Sequence, residues 1–502
     1  MGAEGQPRKA LGELLAAIDH KLKGNPEVGI TGLTYDSRQV RPGELFICLV
    51  GARADGHSFL REALAKGAAA VLINSGRETA AQGLPVPVGI VPDTRKAMAA
   101  IASAFFDRPS QRLSLIGITG TNGKTTTSYL TAAILGAAGR KTGIIGTLAY
   151  RIGEETRPAP HTTPEAPDLQ ALLAEMAQSG VSDVAMEVSS HALALNRVDG
   201  CSFRFAVFTN LSRDHLDFHP SFEEYLATKE LLFSDPRFQP ESGGRINILN
   251  ADDPASERIA RSALGRVMTY GLHEKADLRA YEVAASAAGT RFRVDTPAGP
   301  AQVAMRLVGP FNVANALAAL ATGLAAGVEL ERAVAGLEAA ETVQGRFERV
   351  PSASRNVIVD YAHTPDGLEK VLSAARDLGR GRLSVVFGCG GDRDPGKRPQ
   401  MGEIASRLAD RCYVTSDNPR SEDPDQIIAQ VLAGIPQERR PRCSVEPERE
   451  RAIRRAIFEA TPEDVVILAG KGHETYQLVA GRRFDFDDRV EARRALQARA
   501  SS

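Results

Sequence analysis

Gly120-Thr121-Asn122-Gly123-Lys124-Thr125 follows the apolar run 113–118 and precedes a helix-like segment at 128–139. The order reads as strand, phosphate-cradling loop and helix. Small residues let successive backbone N–H groups turn inward on phosphate oxygens, the helix N-terminus adds partial positive charge, and Lys124 adds a full one. Thr125 and Thr126 open the helix, and the Thr125 hydroxyl is placed to reach Mg²⁺. Ile118 stands where the generic pattern has its first glycine, so the loop is a shortened variant.

Outward from this loop, the 502 residues exceed what one hydrophobic core serves and predict about three domains. A mixed segment at 1–110 predicts a small α/β domain, and the turn residues Asp107-Arg108-Pro109-Ser110 form the linker to the phosphate loop's strand. Over 111–344 apolar strands alternate with Ala-rich helices, as in an open parallel sheet that binds ligands at its strands' C-terminal ends. Over 345–502 the runs 357–359, 383–387, 412–414 and 465–468 each end in a polar loop, which predicts a second doubly wound, Rossmann-like domain. The fold class is α/β throughout. Gly388-Cys389-Gly390-Gly391 departs from the dinucleotide fingerprint and precedes Asp392 and Asp394, which repel pyrophosphate, so NAD is not expected.

Composition bounds the partners. A net charge of −1 supplies no global field for a nucleic-acid backbone. The five cysteines, Cys48, Cys201, Cys389, Cys412 and Cys443, are scattered and show no CxxC spacing, which argues against a disulfide framework and a thiolate zinc site. Residues 1–10 carry no apolar leader and no window has membrane-spanning length, so a cytoplasmic protein is expected, with small molecules rather than membranes as partners.

Glu187 follows the apolar run 181–186, and His215 lies in Thr209-Asn210-Leu211-Ser212-Arg213-Asp214-His215-Leu216-Asp217. A carboxylate and an imidazole just past two strands would complete the coordination of a magnesium ion held by Thr125 and ATP oxygens; a capping glutamate and a satisfied loop histidine are the bland alternative. His191, His215 and His219 also invite zinc, but no thiolate or HExxH spacing accompanies them.

Several separated stretches coincide with one family: Asp36-Ser37-Arg38, 120–126, His161-Thr162-Thr163-Pro164, Glu187-Val188-Ser189-Ser190-His191, Gly345-Arg346-Phe347-Glu348, Asp360-Tyr361-Ala362-His363-Thr364-Pro365, Asp417-Asn418-Pro419-Arg420 and Gly470-Lys471-Gly472-His473-Glu474. Through these, in order, the chain resembles the Mur ligases of bacterial cell-wall synthesis.

The resemblance implies an ADP-forming ligase. ATP phosphorylates the D-glutamate carboxylate of UDP-N-acetylmuramoyl-L-alanyl-D-glutamate, and the amine of meso-diaminopimelate attacks the acyl phosphate. It places Lys124, Glu187, His215 and a carbamylated Lys229 in catalysis, with Thr125, Glu187, His215 and the Lys229 carbamate as Mg²⁺ ligands. Gly120, Thr121, Asn122, Gly123, Lys124, Thr125, Thr126, Asn312, Arg346 and Asp360 are implied to hold ATP. Ser37, Thr162, Thr163, Ser189 and Arg197 would bind the UDP-sugar dipeptide, and Arg393, Asp417, Asn418, Pro419, Arg420, Gly470 and Glu474 the diaminopimelate. Charge argues for that amino acid: diaminopimelate carries one carboxylate more than lysine, and Arg420 offers a planar fork for it. A lysine-adding member, a folate-polyglutamate ligase and a nucleotide-binding relative without catalysis are the competing readings. Arg420 disfavours the first, the Asp36 and Asp417 motifs the second, and the presence of Lys124, Glu187, His215 and Lys229 the third.

Overall fold

The computed structural model describes residues 8–51, 54–272, 275–286, 288–352 and 355–500. Most of the stretch 1–10 lies outside these. Three sheets organise the described chain. In the first, Val88–Val91, Ala70–Asn74, Glu44–Ile47 and Gly32–Thr34 run parallel and Lys21–Lys23 closes one edge antiparallel. Apolar clusters cover both of its faces, one around Leu14, Leu45, Leu72 and Ile101, the other around Phe46, Val71, Leu60 and Ile90. The helix Thr94–Phe105 starts where the Asp93 carboxylate accepts from the Arg95 and Lys96 amides. It ends before Asp107 and Arg108, whose φ values of 58° and 47° turn the chain just ahead of Pro109. The predicted linker is therefore a tight left-handed corner.

The central sheet has eleven strands among the described residues. Thr142–Ile145, Asp183–Glu187, Ser114–Thr119, Phe205–Phe208, Ile246–Asn250, Arg266–Gly271 and Leu278–Ser286 run parallel, as expected of an open α/β sheet. Its edges differ from that expectation: Ala149–Ile152 and Glu155–Pro158 extend one side antiparallel, and Gly289–Thr296 and Gly299–Met305 the other. Gly289–Thr296 and Gly299–Met305 alternate buried and more exposed residues, the pattern of a sheet with one wet face, whereas Ser114–Thr119 and Asp183–Glu187 are buried almost throughout. Helices Lys124–Ala137, Pro310–Ala325 and Leu330–Ala339 pack on one face. Ala166–Gln178 and Phe222–Ser234 pack on the other.

In the third sheet Asn356–Asp360, Val465–Ala469, Leu383–Phe387, Arg411–Val414 and Cys443–Val445 lie parallel in that order, and Glu348–Val350 adds an antiparallel edge. The four apolar runs read from sequence are four of its strands. Helices on both faces make it doubly wound. The C-terminal strand ends of the second and third sheets bring their loops together: Arg346 Nη2 donates to Thr125 Oγ1 at 3.1 Å, Asn122 Nδ2 to Asp366 Oδ2 at 2.8 Å and Arg213 Nε to Asp394 Oδ2 at 3.1 Å. The first sheet's unit meets the central one through Tyr35, whose hydroxyl donates to Asp168 at 2.6 Å, and Arg95, 3.1 Å from Glu165. No helix among the described residues is long and apolar enough to cross a membrane.

Candidate active site at the phosphate loop and the interdomain cleft

The loop takes its shape from two glycines. Gly120 has φ +146° and Gly123 +87°. A Cβ on Gly120 would lie 1.9 Å from Thr209 Oγ1, and one on Gly123 would lie 2.3 Å from Asn315 Oδ1, so the loop lies directly against its supports. Asn315 comes from the helix Pro310–Ala325, and the other supports follow the neighbouring strand Phe205–Phe208: Thr209 Oγ1 donates to Asn122 O at 2.6 Å, and the Asn122 amide donates to Asn210 Oδ1 at 3.0 Å. Lys124 folds back so that its ammonium donates to Gly120 O at 2.8 Å and Thr121 O at 2.9 Å. Burial pushes the Lys124 pKa down.

Glu187 ends its strand beside this loop, 1% exposed. Thr147 holds both its oxygens, through its amide at 2.8 Å and its hydroxyl at 3.1 Å. Gly146 makes the approach possible, since a Cβ there would sit 2.3 Å from Glu187 Oε1. His215 adopts φ +56°, a rarely populated region for a side chain of that bulk. Burial drives its pKa down to about 3, which keeps the imidazole neutral with a lone pair to offer. Asp214 lies 3.4 Å from His215 Nε2 and 3.8 Å from His363 Nε2 of the C-terminal domain. Burial alone would raise the Asp214 pKa, but the His363 hydrogen bond and the flanking histidines hold it below the carboxylate range. The rings of His191 and His215 meet edge to face at 4.8 Å, and His219 Nε2 pairs with Ser190 Oγ at 2.9 Å. Among the described residues no three His, Cys, Asp or Glu side chains converge as a ready-made metal cage.

Lys229 projects from the helix Phe222–Ser234, which begins where Ser221 Oγ accepts from the Glu224 amide. It is 1% exposed. Its Nζ donates to Gly120 O at 2.8 Å and lies 4.5 Å from the centre of the Tyr225 ring. Burial first and the nearby Lys124 charge second push its pKa well down.

A cavity of about 330 Å³ opens between the central and C-terminal domains, lined by Asn122, Gly123, Thr126, Asn315, Arg346 and Asp360 among others. Arg346 stacks over Tyr361 at 4.5 Å, and its buried Nε has no partner among the described residues. Asp360 receives the Phe347 and Ala362 amides, both at 2.7 Å, and burial raises its pKa. Asn312 is not among the lining residues. Its Nδ2 donates to Val308 O at 2.8 Å and its Oδ1 accepts from Asn315 at 3.0 Å, so it braces the asparagine that does line the cavity. The spacing of three residues at the start of Pro310–Ala325 was the available signal for Asn315.

A second hollow joins Lys124, Thr125, Glu187 and His215 to Thr162 and Ser189. Thr162 Oγ1 lies 3.0 Å from Thr147 Oγ1, while Thr163 Oγ1 donates to Glu187 O at 2.8 Å. Arg197 donates to Thr163 O at 3.2 Å and pairs with Glu165 at 2.9 Å, on the side facing the first domain. Ser37 is buried in that domain and donates to Glu62 at 3.0 Å, apart from the central hollow.

The amino-acid residues gather at the other end of the cleft. The Arg420 amide, at φ +54°, donates to Leu478 O at 2.9 Å, and its guanidinium donates to Gly391 O at 2.7 Å. Pro419 O backs onto Gly391, where a Cβ would stand only 2.0 Å away. Arg393 Nη1 is 3.8 Å from Asp217 of the central domain. Gly470, at φ +113°, brings the chain against Asp417, and Asn418 Nδ2 donates to Glu474 Oε2 at 2.8 Å. Asp214, His363, Thr147, Asn315 and Lys471 are site residues given no role from sequence.

Three family models match: the Mur ligase family catalytic domain over 29–106, the Mur ligase middle domain over 118–323 and the Mur ligase glutamate ligase domain over 345–472. A UDP-N-acetylmuramoyl-L-alanyl-D-glutamate–2,6-diaminopimelate ligase of Geobacillus kaustophilus is 48% identical over 95% of this chain and 96% of its own. The protein of that name from Gloeobacter violaceus is 48% identical over 99% of both. A solved structure of the same title superposes with a TM-score of 0.68 at 34% identity, covering 99% of this chain and 100% of that one. With relatives this similar along almost its whole length, the chain belongs to the Mur ligase family.

Proposed function

We propose that the protein is an ADP-forming ligase that joins meso-diaminopimelate to the D-glutamate of UDP-N-acetylmuramoyl-L-alanyl-D-glutamate in peptidoglycan precursor synthesis. The convergence of Lys124, Thr125, Glu187 and His215 around one hollow, with Arg420 and Glu474 across the cleft, is the observation that carries this reading. It agrees with the names of the relatives.

The γ-phosphate and the substrate carboxylate are both anions, and the site must lower their repulsion before they react. Lys124 and the loop amides take phosphate oxygens. Arg346 and Asp360 fix the other end of the nucleotide from the C-terminal domain, so that both domains grip ATP. The hydroxyl of Thr125, the carboxylate of Glu187 and the neutral imidazole of His215 form an oxygen-rich donor set suited to Mg²⁺ once phosphate oxygens complete it. When bound there, the ion would supply positive charge that offsets the repulsion between the two anions.

Lys229 fits carbamylation. A buried amine whose pKa is driven down is a neutral nucleophile: its nitrogen adds to CO₂, loses one proton and becomes an anionic carbamate. The ammonium form would repel a second cation, whereas the carbamate would attract it. Thr162 and Ser189 offer hydroxyls to the incoming acid, and Thr163 and Arg197 shape the wall behind them. Arg393, Arg420, Asn418, Asp417 and Glu474 would receive diaminopimelate, the guanidinium of Arg420 pairing with the distal carboxylate.

The test is ADP release with ATP, Mg²⁺ and the UDP-sugar dipeptide, using meso-diaminopimelate and L-lysine separately, with products weighed by mass spectrometry. Turnover with diaminopimelate alone is expected. Turnover with lysine would keep the chemistry and overturn the pocket, and no turnover with either would overturn the ligase reading.

A further inference from the structure

Lys471 has no part in the reading above, yet it is 0% exposed within the amino-acid pocket. Its ammonium donates to Asn418 Oδ1 at 3.2 Å and Glu474 Oε2 at 3.2 Å, and lies 3.5 Å from Asp417 Oδ1. An ammonium leaves water only where acceptors replace it. Here they come from two loops, one after Arg411–Val414 and one after Val465–Ala469. Behind them Arg449, 2% exposed, forks onto Asp488 at 2.8 and 2.6 Å and donates to Ala469 O at 2.9 Å.

Five charges are linked by these contacts: the carboxylates Asp417, Glu474 and Asp488 and the cations Lys471 and Arg449. They leave one negative charge uncompensated. Arg449 is committed to Asp488, so that charge resides on the Asp417–Glu474 pair, and the Lys471 ammonium is the cation that reaches both members. The same ammonium, with the Leu478 amide at 3.0 Å, fixes Asn418 Oδ1 so that its Nδ2 is turned toward Glu474.

We propose that Lys471 is a positioning residue for amino-acid selection: by pairing with Asp417, Asn418 and Glu474 it keeps the Glu474 carboxylate ionised for the ammonium group of the incoming diamino acid. This rests on the ligase reading for its substrate, but the electrostatic claim is tested without substrate. Remove the Lys471 charge and two carboxylates face each other, so one takes a proton. Glu474 is the one, because burial and the Asp417 charge already raise its pKa, while Asp417 is held low, against its own burial, by Lys471, Arg449, His363 and Arg420. Tyr361 and Tyr476, which also face Glu474, remain neutral hydroxyls below their raised pKa values.

The sign follows from linkage. A carboxyl whose folded pKa is raised stabilises the fold below its unfolded pKa and loses that contribution as pH rises through the folded one. Lys471→Met should therefore lose more thermal stability than wild type as pH rises from about 5, just above the ordinary glutamate value of 4.5, to about 8. Adding Glu474→Gln should abolish that extra slope. With substrate, Lys471→Met should raise KM for diaminopimelate about tenfold or more while leaving KM for ATP unchanged. A melting-temperature offset that is the same at both pH values, or equal rises in both KM values, would overturn the proposal. If wild type turns over no diamino acid, the ligase reading falls and the pH comparison still decides the role of Lys471. Should Lys471→Met fail to fold, the double variant is expected to fold, since the carboxylate conflict is gone; failure of both would make Lys471 a core residue and overturn the proposal.

Discussion

Two lysines are almost completely buried on opposite sides of the cleft, and they differ in what surrounds them. Lys229, in the central domain, donates to a backbone carbonyl beside an aromatic ring and a second lysine. Lys471, in the C-terminal domain, has two carboxylates and an amide oxygen. Burial is the same; the environment decides the chemistry. A lysine whose close neighbours are neutral or cationic gives up its proton and becomes a nucleophile, whereas one held by carboxylates serves as a fixed positive charge. On the two proposals above, one domain would store a reactive amine and the other a charge that shapes a pocket.

The sharpest way to break this contrast is Lys229→Arg, which keeps a cation and removes the amine that would add CO₂. If the buried amine is needed as a carbamate, both Lys229→Arg and Lys229→Ala should lose ADP release by about 10²–10³-fold, the scale for removing one group that stabilises a phosphoryl transition state. Short-chain carboxylates should restore part of the activity of the alanine variant and none to the arginine one. An active Lys229→Arg enzyme would show that positive charge alone suffices. Smaller is the effect of Arg420→Ala, because Arg420 is only partly buried and already donates to Gly391. Losing its pairing with a distal carboxylate should cost about 2 kcal/mol, or roughly thirtyfold in KM for diaminopimelate. Unchanged preference over lysine would overturn that assignment.

What the sequence revealed follows from how local each feature is. The phosphate loop, Glu187 and His215 sit at strand ends, where an apolar run followed by a polar residue marks both strand and site. Lys229 lies on an ordinary amphipathic helix, and its burial depends on which face meets the Gly120 carbonyl, so only the family resemblance singled it out. Asp214 depends on His363 from another domain, and Thr125 on Arg346; these pairings exist only once the second and third sheets dock. Asn312 and Asn315 were indistinguishable by type, and the helix phase puts one in the cavity and the other behind it. The antiparallel edge was legible in the alternation at 290–295, with Phe292 and Val294 buried between exposed Arg291, Arg293 and Asp295, a period-two pattern that the expectation of an open parallel sheet did not use.

Gly123→Ala tests the rigid side of the cleft. Its φ of +87° and the 2.3 Å approach to Asn315 Oδ1 leave no relaxed position for a methyl group, so strain of about 1–2 kcal/mol should appear as a roughly tenfold rise in KM for ATP. Gly136→Ala, in the same helix with nothing near its Cβ, is the control and should add about 0.5–1 kcal/mol of stability without changing that KM.

The smallest effect belongs to one of the contacts that join the two domains. Arg213 reaches from the central domain to Asp394, 3.1 Å away, with side-chain exposures of 43% and 10%. A half-exposed pair is worth within about 1 kcal/mol, so Arg213→Ala should change KM for ATP by less than about fivefold. Salt identifies the cause: at about 1 M ionic strength screening operates over about 3 Å, and the wild-type advantage should vanish. If the deficit persists in high salt, Arg213 acts through packing beside Gly396, where a Cβ would lie 2.7 Å from Nη2, and the two domains are held by shape rather than by charge.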